Sequence, residues 1–438
     1  MKIKIIGLFS LITCFYPAST HAANLQQSVL AASGWDSEYK AAIELRDAEG
    51  QKPYQGFAGL LPEISLSGTY YKQDQPSASY AAGIKRHNYS INLQQPLFDL
   101  SRYATWQRAK AAANAADATF MLAQQKLIQN VAKAYFGVLF ARKKLETSQR
   151  ESKSYKYQLE KATQALAIGD GTLLDVDEAR ASFDRSTAEM LSAENDLSQA
   201  GIDFNRLTGL SADGITEGAL QCLFHPLEEK MDVAVKRAIQ KNFNVIAALY
   251  HLEEAKADVT ATTAAHLPVV SLQAMYGNNW SRAEDGNYLD EIFGTTSKTK
   301  NTYIGVNVSV PIFAGGKMLS QNFEAASRRN QNVLLVEDAR RKVAQEVKVS
   351  WLGVKNNFEK IQAYKRLQSS SRKKLDSTIY GKEVGLRTLI DQFEAEKDLY
   401  RAIQDLTETE NNFLQQKIAL DAATGDLDYS TLNSYVCP

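Results

Sequence analysis

Two textures of apolar residues alternate along this chain. In the first, Leu127, Val131, Ala134, Val138, Ala141, Leu145, Ser148, Ser152, Tyr155, Leu159, Ala162 and Leu166 follow one another in steps of 4 and 3. Val176, Ala179, Phe183, Ser186, Met190, Ala193, Leu197, Ala200, Phe204 and Leu207 then repeat the rhythm. A period of 3.5 residues held this long predicts coiled-coil helices, and the many Ala and Ser in the seam predict close approach of neighbours. No proline falls between Pro96 and Pro226 or between Pro311 and Pro438. A helix from about residue 100 to residue 168 would be about 100 Å long, several times the diameter of a compact domain. The turns Ile168-Gly169-Asp170-Gly171-Thr172 and Val384-Gly385-Leu386-Arg387-Thr388 read as helical-hairpin tips. Each has a glycine just past one helix and a capping threonine before the next, with Asp175 or Asp391 in the new first turn.

The second texture has period two. Ile64, Leu66, Gly68 and Tyr70 alternate with Ser65, Ser67, Thr69 and Tyr71, and Tyr89, Ile91 and Leu93 alternate with Ser90, Asn92 and Gln94. Val270, Leu272, Ala274 and Tyr276 repeat the pattern, as do Ile304, Val306, Val308 and Val310. These predict four strands of about ten residues, apolar on one side and polar on the other. A soluble hairpin and the wall of a transmembrane β-barrel share that pattern.

The chain is one unit written twice. Gln129–Gly209 overlays Gln345–Gly425 at a constant offset, with Thr172/Thr388, Asp175/Asp391 and Gly209/Gly425 among the matches. Upstream, Pro96-Leu97-Phe98 answers Pro311-Ile312-Phe313, and Leu61-Pro62 answers Leu267-Pro268. Only the segment between the paired prolines changes length appreciably, as a loop does and a packed helix does not. Four strands cannot close a barrel, because an open edge in hydrocarbon leaves backbone groups unsatisfied. A membrane wall made from them requires further copies of the chain.

Composition narrows the class. The chain has 438 residues, 44% of them hydrophobic, with 50 basic residues against 50 acidic ones. So even a balance argues against a nucleic-acid partner, which needs clustered basic charge. Residues 1–22 read as an export signal: Lys2 and Lys4, an apolar run from Ile5 to Tyr16, then Thr20 and Ala22 before the cleavage point. Lipidation at Cys14 is the alternative, disfavoured by the bulk of Thr13. Beyond the signal, Cys222 and Cys437 permit one disulfide or two free thiols. No His-Glu-x-x-His, Gly-x-Ser-x-Gly, phosphate loop or Cys-x-x-Cys occurs, and no histidines stand at metal-ligand spacing, so neither an enzyme, a cofactor nor a metal is expected.

The order of export signal, strand pair, long hairpin and repeat resembles the TolC family of outer-membrane exit ducts. Leu61-Pro62, Gln95-Pro96-Leu97-Phe98, Val310-Pro311-Ile312-Phe313-Ala314-Gly315-Gly316 and the two tips carry the resemblance. It implies an α+β membrane protein: a homotrimer with a 12-stranded β-barrel in outer-membrane lipid and an α-helical barrel in the periplasm. The implied division is a signal at 1–22, an N-terminal periplasmic helix at 23–60, and strand pairs at 61–98 and 267–313. Hairpins would occupy 99–210 and 314–425, with an equatorial segment and helix at 211–266 and a tail at 426–438. The implied partners are a periplasmic adaptor and an inner-membrane transporter of ABC or RND type, for protein secretion or drug efflux. A periplasmic adaptor or fibrous coiled-coil adhesin is the competing reading, which leaves the duplicated strand pair unexplained.

The resemblance also implies roles for the tips. Asp391 and Glu394, three apart on one helix, would form acidic rings at the periplasmic aperture. Arg387 would latch to Asp175 of a neighbouring hairpin, with Lys382 standing where the family has a tyrosine and Leu174 where it has a threonine. Gly169, Gly171, Thr172, Gly385, Leu386 and Thr388 would meet the adaptor. Asp175 and Asp391 also stabilise their helix N-termini, a role compatible with gating. Both Cys222 and Cys437 would fall in the belt around the tube, where a bridge between them would tie down the tail. The loops around Gln73–His87 and Asn278–Asn301 would face outward.

Overall fold

A computed structural model of the chain describes residues 24–74, 83–215, 220–283, 288, 292 and 297–435. The expected signal peptide, Cys437 and the turns of both strand hairpins lie outside the described residues. Elements run α1 (Leu25–Trp35), α2 (Ser37–Glu49), α3 (Lys52–Ala58), β1 (Glu63–Asp74), β2 (Gly83–Phe98), α4 (Leu100–Ala167) and α5 (Leu173–Thr208). Then come α6 (Met231–Lys241), α7 (Phe243–Ala264), β3 (Val269–Ala283), β4 (Ser297–Ser309), α8 (Lys317–Glu383) and α9 (Leu389–Thr424). No helix among the described residues is long and apolar enough to cross a membrane.

The single helix expected over 23–60 is three helices. Asp36 ends α1 and caps α2, its carboxylate accepting from the Tyr39 amide at 2.7 Å. Gly50 ends α2, and Pro53 sits in the first turn of α3, where its missing N–H costs nothing.

The four strands form one antiparallel sheet in chain order, each paired with the next. At 12, 16, 15 and 13 residues they exceed the expected ten, reaching outward into the segments read as loops. The two copies also part at their lower ends. Pro96 stays inside β2 at a register shift, whereas β4 stops at Ser309, before Pro311. Proline has no N–H to give a ladder and is tolerated at such irregularities. The Ser67 and Ser90 hydroxyls lie 2.9 Å apart on the polar face.

Helices α4 and α8 have 68 and 67 residues, each about 100 Å long, and α5 and α9 have 36 each. In the lower half α4 packs on α5, α9 packs on α8, and α4 also packs on α9. The helices therefore lie side by side as α5–α4–α9–α8. In the upper half α7 bridges the two long helices, with Arg108 donating to Asp258 at 3.0 Å and Thr263 to Asn322 at 3.4 Å.

The main apolar core sits near the middle of the long helices, around Phe136, Phe204, Phe413, Leu414 and Ile361. The C-terminal segment inserts Leu432 and Tyr435 into it, and the Tyr435 hydroxyl donates to Asp421. Burial pushes the Tyr435 phenol well above its usual range. Cys222 lies at this level and is disulfide-bonded.

Candidate functional site

Both hairpin tips are built the same way. Gly169 and Gly385 adopt φ of 81° and 77°, the left-handed conformation that a side chain rarely tolerates. In the first tip the Asp170 amide donates to the Ala165 carbonyl at 2.9 Å, and in the second Leu386 donates to Gly381 at 2.7 Å. These bonds satisfy the last carbonyls of α4 and α8. Gly171 is needed for closeness, since a Cβ there would lie 3.0 Å from the Leu166 amide nitrogen.

The next helix then opens with a reciprocal cap. Thr172 Oγ1 accepts from the Asp175 amide at 3.1 Å while the Asp175 carboxylate accepts from the Thr172 amide at 3.0 Å. Thr388 and Asp391 repeat this at 3.2 and 2.9 Å. Bonding to Thr388, chiefly to its amide, holds the Asp391 carboxyl below its usual pKa, with Arg387 adding to the effect. We predict that Thr172→Ala destabilises the tip by about 1 kcal/mol. Faster amide hydrogen exchange confined to residues 168–178 is the expected readout.

Of the residues expected at the aperture, Asp391 is half-buried and Glu394 exposed, about one turn apart on α9. Within one chain Arg387 does not reach Asp175. Its guanidinium, in the turn before α9, lies 3.9 Å from Asp391 in the first turn of that helix, and Asp175 is engaged by Thr172. Lys382 does lie near Asp175, and it donates to Gln392 at 3.0 Å. Burial and the neighbouring Lys161 lower the Lys382 pKa, with Asp175 opposing them.

Above the tips the structure gathers a set of carboxylates that the apolar period did not reveal. Glu396 of α9 accepts from Ser154 and Gln158 of α4, and it is buried. Glu151 of α4 is also buried, and burial, then Glu189 of α5 and Glu396, raises its pKa to about 7. Tyr155 packs on Phe393 with ring centroids 5.7 Å apart. A groove of about 400 Å³ beside them is lined by Glu151, Glu189, Arg185, Glu394, Lys397 and Arg401. Higher up, Lys143 pairs with Glu410 at 2.8 Å.

A duplicated strand pair, each followed by a helical hairpin about 100 Å long, defines a class of bacterial envelope proteins rather than a soluble fold. The chain belongs to the family described as outer membrane efflux protein, whose model matches residues 39–210 and 234–426. It is 27% identical to the outer membrane protein TolC of Escherichia coli over 445 residues, 99% of this chain and 88% of that one. It is 26% identical to the alkaline protease secretion protein AprF of Pseudomonas aeruginosa, over 91% of this chain and 83% of that one. Its fold matches the outer membrane protein VceC of Vibrio cholerae with a TM-score of 0.78 at 18% identity, covering 92% of this chain and 96% of that one. The Campylobacter jejuni CmeC outer membrane channel matches with a TM-score of 0.79 at 16% identity, over 93% and 88% of the two chains. The adaptor and adhesin readings gain no support from these relatives.

Proposed function

We propose that three copies of this chain join edge to edge into a water-filled duct, the outer-membrane exit of a tripartite export system. The single observation that carries this reading is the unfinished sheet. Its outer strands β1 and β4 each pair on one side only among the described residues, and one face is aliphatic and exposed. Across that face Ile64, Leu93, Ala274 and Ile304 stand opposite one another, and Leu66, Ile91 and Tyr276 form the next row. The other face carries Ser65, Asn92, Ser67 and Ser90. In hydrocarbon such edges must be paired, and three four-stranded sheets give a closed barrel of twelve. The helices are unfinished in the same way, with Leu191 and Ile202 exposed on α5 and Leu334 and Leu367 exposed on α8.

A pump in the inner membrane supplies the energy, and a periplasmic adaptor joins it to the tips around Gly169, Gly171, Thr172, Gly385, Leu386 and Thr388. The name of AprF supports a cargo of secreted protein, and the family's description as efflux protein supports small molecules as the other cargo. Arg387 is free to reach Asp175 of the next subunit only by leaving Asp391, and that exchange is our reading of the latch. Cys437 is the partner we assign to Cys222. Asp391 and Glu394 line the aperture and select cations. Reconstituted in planar bilayers under a salt gradient, the chain forms discrete cation-preferring channels, and Asp391→Asn with Glu394→Gln moves the reversal potential toward zero. Channels of unaltered selectivity remove the ring assignment, and absence of any conductance removes the duct.

A further inference from the structure

The helical row α5–α4–α9–α8 ends in two exposed faces, and each carries a heptad pattern of its own. On α5, steps of 3 and 4 lead through Ala181, Asp184, Ala188, Leu191, Asn195 and Ser198, every one exposed. This row lies about 150° round the helix from the seam that packs on α4. On α8 the same steps lead through Glu359, Ala363, Arg366, Ser370, Lys373 and Ser377, again all exposed. The first row continues to Ile202 and the second to Tyr380, which are 69% and 68% exposed. A heptad row without a neighbour is half of a coiled coil.

The two faces are opposite in charge. Helix α5 has eight acidic residues against three basic, while residues 348–383 of α8 have nine basic against three acidic. Lys144 and Lys374, off the rows, are paired within the chain to Asp196 and Asp398 at 2.8 and 2.7 Å. Asp184 and Lys373, on the rows, have no such pair among the described residues. An α5 face against another α5, or α8 against α8, would bring like charges together. The flanks therefore select head-to-tail joining, which closes into a ring. The sheet leaves the same flanks open, since β2 runs into α4 and β4 into α8, setting the free edge of β4 above α8 and that of β1 on the α5 side.

We propose that α5 of one copy and the lower half of α8 of a second copy form an antiparallel coiled-coil seam, with Asp184 facing Lys373 and Ala188 facing Ser370. The seam deepens the duct reading above and rests on it. Its register follows from the tips. Lys143 and Glu410, paired at 2.8 Å, stand 25 and 22 residues above their tips at Ile168 and Thr388, so the tips are level to about 4.5 Å. Counted from Thr172 and Val384, Asp184 stands at 12 residues and Lys373 at 11, Ala188 at 16 and Ser370 at 14. Each pair is thus level to about 3 Å. The small residues Ala181, Ala188 and Ala363 meet Ser377, Ser370 and Asn195, which lets the helices approach closely.

The test uses the full-length chain in a neutral detergent and a short bismaleimide as crosslinker. Copies carrying only Ala188→Cys are co-assembled with copies of a different mass carrying only Ser370→Cys. Mixed links between the two masses are expected. Glu359→Cys, about 16 Å farther along α8, is expected to give none in place of Ser370→Cys. Asp184→Lys alone and Lys373→Asp alone each lower the yield of the assembled species about fivefold or more, and both in one chain restore it. A variant that merely misfolds is not rescued in this way, and absence of rescue overturns the register. Absence of mixed links in copies that assemble and conduct overturns the seam and leaves the duct standing. A link formed inside one chain overturns the seam too, as does a Ser370→Cys chain that links only to a different envelope protein. Copies that never assemble in lipid overturn the seam and the duct together.

Discussion

A chain carrying Leu66→Arg and Ile304→Arg is expected to lose the proposed trimer, read as an SDS-resistant species, and its place in the outer membrane. The same substitution at Ser67 and Asn307 is expected to spare both. Leu66 and Ile304 are 75% and 73% exposed in the single chain, on the aliphatic face of the two edge strands. Only lipid or a neighbouring strand can cover side chains this large and this apolar without cost. An arginine near the midplane of a barrel's lipid face costs about 2–4 kcal/mol, and the assembly would carry the pair three times. Ser67 and Asn307 lie on the opposite face of the same two strands, where water in the lumen of the proposed duct would solvate a new charge. Heat-modified gel mobility of outer-membrane fractions reads the difference directly. Should Ser67→Arg and Asn307→Arg prove the damaging pair, the sheet has been turned inside out and the duct fails with it.

Much of this architecture is legible in the sequence because its signals are local and periodic. Carried across by the repeat, the return seam falls on α9 at Gln392, Ala395, Leu399, Ala402, Leu406, Thr409, Phe413, Gln416, Leu420 and Ala423, and all but the two glutamines are buried. A second buried seam, with Phe393, Glu396, Thr407, Glu410 and Leu414, was not expected. It faces α4, and three of its five members are polar. Their partners Ser154, Gln158 and Lys143 come from the other repeat, more than 230 residues away in the chain. An apolar period cannot register a contact made of a carboxylate and an amide. The break in the N-terminal helix was local yet still missed, because Asp36 and Gly50 look like ordinary surface residues until their amide partners are known. Strand length was underestimated for a related reason. Lys72, Lys85 and Arg282 end the apolar alternation that marks a strand, but the ladder continues through them.

That second seam leads to the other large effect. Glu151 is buried between helices with Glu189 and Glu396 close by, so its proton is held to about pH 7 in the folded chain. Its usual value is 4.5. A carboxyl whose folded pKa is raised favours the fold where it is protonated in both states. Below about pH 4.5 the group costs nothing. As pH rises toward 7 the unfolded chain gives up this proton before the folded one does, and stability falls; above 7 the loss is complete. The shift corresponds to at most about 3 kcal/mol per chain, at 1.36 kcal/mol for each unit. Glu151→Gln keeps the shape and removes the charge. It is expected to raise the melting temperature at pH 8 and to change it little at pH 4.5, flattening the profile between. Arg185, Lys397 and Arg401 line the same groove, so a carboxylate at 151 has cations nearby that could have claimed it. An unchanged melting temperature at pH 8 would mean they do, and that Glu151 is charged at neutral pH. A gain at pH 8 would instead mean that packing of α4 against α5 and α9, just above the tips, is opposed by the ionised side chain. The wall would then carry, within reach of its aperture, a charge that acts to loosen it.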